Sequence, residues 1–100
     1  MIVAVSEDGG VSLREADDLK AFKVMATCKE VELARLLAPA GDLDGAGHAW
    51  IRRDWLVRNG RPDDQAWLEG FDKMLAYAKD KGWVDAARDS IRAHVEYVGR

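Results

Sequence analysis

His48 and His94 are the only imidazoles in the 100-residue chain. Each has carboxylates close by in sequence: Asp44 and Asp54 near the first, Glu96 near the second. A histidine paired with a carboxylate can serve as a general base, and two histidines can share a metal ion. Neither has the i, i+4 partner of a zinc-binding helix, so any site they build must come from tertiary contact. His48, Asp54 and His94 are therefore the candidate catalytic residues, around a pocket for an anionic ligand. The commoner fate of a lone histidine is a plain hydrogen-bonding role. No metal site and no cofactor is expected.

The second concentration of chemistry is GHAWIRRDWLVRNGRP, residues 47–62, with two of the four tryptophans. Arg52, Arg53, Arg58 and Arg61 against Asp54 give this stretch +3, so the rest of the chain carries −6 in a total of −3. Arginine offers paired donors to phosphate or carboxylate, and Trp50 or Trp55 could stack on a ring. Trp50, Arg52, Arg53, Trp55, Arg58 and Arg61 are the candidate binding residues. The plainer reading is a solvated face whose arginines pair within the chain, with Asp17, Asp18, Asp63 and Asp64 as partners.

Other motifs fall short. Counting from Asp42, Asp44 and Gly47 hold positions three and six of an EF-hand loop. Position five is Ala46 and position twelve is Arg53, where a bidentate glutamate belongs. An Asp- and Gly-rich turn is the better reading of 41–47. Cys28 stands alone, so it can form neither an internal disulfide nor a cysteine zinc site. Near a helix start its thiol could be activated, but a small buried residue is the simpler role. Phosphate loops, nucleophile elbows and HExxH are not found.

Composition sets the class. Apolar residues at 48% and charged residues at 33% describe a globular chain, and 100 residues describe one domain, 1–100. The acidic balance argues against broad affinity for nucleic acid or anionic membrane. The apolar start, MIVAV, is too short for a signal peptide core, and no run approaches a membrane span. A cytoplasmic location is expected.

Several elements are predicted. IVAV, then Asp8-Gly9-Gly10, then Val11 and Leu13 in alternation, predict a β-hairpin. Residues 15–26 fit either a helix begun by a Ser12/Glu15 capping box or a strand. The expectation is a turn at 17–19 and extended chain from Phe22. Thr27 and Glu30 suggest a capping box for a helix over about 28–38. His48 to Arg52 reads as strand, followed by one helical turn capped by Asp54. Pro62, the acids after it, the stripe Trp67-Leu68-Phe71-Met74-Leu75-Ala78 and a Gly82 stop predict a helix over 62–81. Residues 84–98 fit strand or helix, and strand is favoured. The fold expected is α+β, a small sheet of four to five strands with two main helices packed on one face.

Two function classes compete. One is a protein-interaction or homodimerising module built on an aromatic and arginine patch, to which Trp83 and Tyr97 would add. The other is a small enzyme or ligand-binding protein using His48 and His94 with nearby carboxylates and arginines. Whether any reaction is catalysed is left open. Nucleic-acid binding through 50–61 is the weakest class.

Overall fold

The computed structural model describes residues 1–45 and 47–98. Among these are seven strands: β1 (Ile2–Ser6), β2 (Gly10–Arg14), β3 (Lys23–Ala26), β4 (Gly41–Asp44), β5 (His48–Arg52), β6 (Val84–Asp85) and β7 (Ser90–Tyr97). Three helices accompany them: α1 (Glu30–Leu37), α2 (Arg53–Asn59) and α3 (Gln65–Asp80). The strands form one curled, half-barrel sheet in the order β2-β1-β3-β7-β5-β4, with β6 also paired to β7. Pairing is mixed: β1–β3 and β3–β7 run parallel, the other pairs antiparallel.

This corrects the expected sheet of four to five strands with two main helices. The stretch 41–47 reads as a turn because Asp and Gly disfavour strands, yet its residues 41–44 form β4. They pair with β5 as an edge strand, where an Asp-rich face can stay wet. Gly41 is required there: a Cβ would stand 1.9 Å from the Trp50 carbonyl oxygen. The expected single turn after Arg52 is a seven-residue helix, α2.

The capping assignments also change. Ser12 lies in β2, and Glu15 turns the chain with φ +51°. Thr27 hydroxyl donates to the Val5 carbonyl at 3.3 Å instead of capping α1, whose N-cap is Lys29. The N-cap of α2 is Arg52, not Asp54.

Elsewhere local chemistry does what it predicts. Gly10, at φ +68°, closes the first hairpin. The Asp64 carboxylate accepts from Trp67 N–H at 3.1 Å and caps α3. At the other end Gly82, at φ +79°, donates to Lys79 O, and Trp83 N–H donates to Ala78 O at 2.9 Å. That is a Schellman stop, and it fixes where Trp83 emerges.

Strand alternation builds the core. Val3, Val5, Val24, Ala26, Ala49, Ile51, Ile91, Ala93 and Val95 are buried on one sheet face. Leu33 and Leu37 of α1, Trp55 and Leu56 of α2, and Trp67, Phe71 and Ala78 of α3 join them in one cluster. Burying a side chain such as Phe71 contributes about 1.5–3 kcal/mol. The opposite face presents Met25, His48, Trp50, Arg92, His94 and Glu96, each half-buried or exposed.

Candidate functional site

The site is built on β7. On one edge β7 pairs with β5, bringing His94 opposite His48 and Arg92 opposite Trp50. Its other edge is shared. β6 pairs with the start of β7 at Ile91 and Ser90, and β3 pairs from His94 onward. Arg92 N–H still reaches Trp83 O at 2.7 Å. Residues 19–22 precede β3 in the chain, and Gly82 lies between α3 and β6. A cleft of about 570 Å³ opens there, within the usual size range of small-ligand sites.

Its lining is apolar at the base. Leu19 and Phe22 form one wall, and Met74 and Ala78 of α3 with Ile91 form the back. Tyr77 and Trp83 stand at the mouth, edge to face with centroids 6.0 Å apart, 58% and 41% exposed. The remaining lining residues are His48, His94, Arg92 and Lys20, with no carboxylate among them. In an acidic chain this is a local reversal of charge.

Three contacts position these groups. Trp67 Nε1 donates to the Ala16 carbonyl at 2.7 Å, tying the 15–22 segment, and thus the Leu19 wall, to α3. Arg92 Nε donates to the Asp44 carboxylate at 3.1 Å. Among the described residues its terminal nitrogens have no other partner, so they remain for a ligand. His48 and His94 meet edge to face with centroids 5.8 Å apart.

The structure brings together His48 and His94 but leaves Asp54 out. Asp54 lies exposed in the first turn of α2 and does not line the cleft. The six candidate binding residues are dispersed. Trp55 is in the core at 6% exposure, while Trp50 lies on the uncovered sheet face with Arg88 5.7 Å from its ring centroid. Arg52 donates to the carbonyls of Ala38 and Pro39 beyond α1. Arg53 grips Asp89 with two bonds of 3.0 and 3.1 Å, which hold its guanidinium above the ordinary range. Arg58 bonds Asp54 O, and Arg61 pairs with Asp17 at 2.8 Å. Of the four acids named as partners, only Asp17 is used in this way.

Asp44 sits in β4 paired with Arg92, and Gly45 turns the chain at φ +70°. Ala46, position five of the calcium-loop comparison, lies outside the described residues. Among the described residues no three of His, Cys, Asp and Glu converge on a metal-sized site. Cys28 is buried ahead of α1.

Sequence reasoning missed Arg92, Lys20, Leu19 and Tyr77. For Arg92 a signal existed: strand alternation over 90–97 puts it on the same face as His94. For the other three none did, because loop 15–22 and the end of α3 meet only in the fold.

No protein-family model, no curated protein and no solved structure matches this chain. No helix among the described residues is long and apolar enough to cross a membrane.

Proposed function

We propose that the protein binds a small organic anion with an apolar or aromatic body in the cleft between loop 15–22, α3 and β7. One observation carries this reading: the cleft is greasy at its base, and its polar groups are two imidazoles, an arginine and a lysine, with no acid among them. A carboxylate ligand would face Arg92 and the histidine rings, while its body would sit on Phe22, Met74 and Trp83. Charge-assisted bonds orient such a ligand, and burial of the body supplies affinity.

Catalysis has less support. Among the described residues no carboxylate hydrogen-bonds either imidazole, and Asp54 is elsewhere. Self-association through an aromatic and arginine patch is the rival reading. Its proposed residues are spread over the core (Trp55), the α1 terminus (Arg52), two separate ion pairs (Arg53 and Arg61), the surface of α2 (Arg58) and the uncovered sheet face (Trp50), so they form no single patch. Cytoplasmic residence belongs to this proposal as well, since a lone cysteine suits a reducing compartment.

Calorimetry with a panel of aromatic and branched carboxylates, each beside its neutral amide, tests the reading. The carboxylate is expected to bind about 10-fold more tightly than the amide, a difference of about 1.4 kcal/mol. Equal binding of acid and amide, or none of either, would remove the proposal.

A further inference from the structure

We propose that His48 and His94 together chelate one divalent transition-metal ion of the Ni²⁺, Cu²⁺ and Zn²⁺ group, on the uncovered sheet face where both line the cleft. The two residues are direct partners in the β5–β7 ladder, so their backbones are held by the sheet on both sides. Their centroids lie 5.8 Å apart. Two imidazoles that share one ion, each bound at about 2.0–2.1 Å, hold their centroids roughly 5 Å apart at a tetrahedral angle. Small rotations about the side-chain bonds close that gap.

The neighbours leave the rings available. Along the same row Asp44 is opposite His48 and Lys23 opposite His94. Both are engaged: Asp44 with Arg92 at 3.1 Å, Lys23 with Glu96 at 3.4 Å. These four charges balance, and Lys20 of the cleft lining adds one positive charge beyond them, which chelation by two imidazoles has to outweigh. Imidazole suits borderline ions and not Mg²⁺, and affinity should rise from Zn²⁺ or Ni²⁺ to Cu²⁺. Two protein ligands leave the other coordination positions open to water. The chain has no other histidine, and its cysteine is buried, so an imidazole signal has one origin.

The test uses the untagged chain, freed of metal with a chelator and dialysed, and titrated with Ni²⁺, Zn²⁺ or Mg²⁺ alone. One Ni²⁺ or Zn²⁺ per chain is expected, with no Mg²⁺ uptake. His48→Gln and His94→Gln should each weaken Ni²⁺ binding by at least about 10-fold. The double variant should lose little more, because either change already breaks the chelate. Absence of uptake, a single variant with unchanged affinity, or two independent losses that add would overturn the proposal. If a variant loses its folding transition, the imidazole NMR signals of the native chain decide. Both rings shifting together with Zn²⁺ supports the chelate, and only one shifting overturns it. The carboxylate titration above is run in chelator, so the two proposals stand or fall separately.

Discussion

The indole of Trp67 donates its proton to the carbonyl of Ala16, 2.7 Å away, across 51 residues of chain. The ring also stacks on Phe71 with centroids 5.1 Å apart, and the whole side chain is 5% exposed. One residue thus binds α3 to the segment that walls the cleft. Trp67→Phe should remove the bond, leave the half-buried Ala16 carbonyl without this partner and open a void, destabilising the protein by about 1–3 kcal/mol. Denaturant unfolding reads this directly. A change below about 0.5 kcal/mol would mean that the contact does not hold the wall.

Gly41 marks the edge of the sheet that its composition conceals. Gly41→Ala would set a Cβ 1.9 Å from the Trp50 carbonyl oxygen, a backbone atom that cannot swing aside. The expected cost is about 1–3 kcal/mol. Gly47→Ala, where a Cβ meets nothing within 4 Å, is the matched control and should be near neutral. Equal melting temperatures for the two variants would refute the β4–β5 approach.

At the far end of α3 the requirement is conformational. Gly82 has open space for a Cβ but sits at φ +79°. Gly82→Ala should cost about 1–2 kcal/mol from the left-handed backbone alone. It should also alter the emission of Trp83, which the same turn delivers to the cleft mouth. An unchanged stability would show that the stop tolerates a right-handed residue.

Much of this was readable from local chemistry, and the exceptions have physical causes. His48–Arg52 is a strand as its pattern predicts, and α3 fills most of the predicted 62–81. The ambiguous 84–98 resolves to strand over Ser90–Tyr97 because β7 is flanked by partners along both edges, which pattern alone does not report. Thr27 and Glu30 have capping-box spacing, yet the Thr27 hydroxyl is claimed by Val5 across the sheet. β4 was hidden because pairing with β5 outweighs the poor strand propensity of Gly-Asp-Leu-Asp. The candidate cleft is only partly legible in the sequence. The two histidines were named, but their convergence depends on strand order. The arginines of 52–61 drew attention by density, while Arg92, alone in sequence, is the one that reaches the cleft.

Tyr97 gives a prediction in pH. Its phenol is raised above the ordinary value, chiefly by burial and further by Glu30 and Cys28. A raised phenol favours the folded state while it stays protonated. That contribution is intact below about pH 10, the value for an unfolded chain, and is lost as pH rises through the higher folded value. The absorbance titration of native protein minus that of Tyr97→Phe should have its midpoint above about 10. A midpoint at or below that value would show that its surroundings do not raise the phenol.

The central claim is that the cleft, and not the arginine-rich stretch, receives an anionic ligand. Backbone amide NMR during titration with an aromatic carboxylate, such as phenylpropionate, tests it most directly. The account predicts saturable shifts confined to residues 19–22, 48, 74–83 and 91–94, weakened about 10-fold by Arg92→Gln, a loss of about 1.4 kcal/mol. Shifts centred on Arg52 to Arg61, or affinity unchanged in Arg92→Gln, would contradict it.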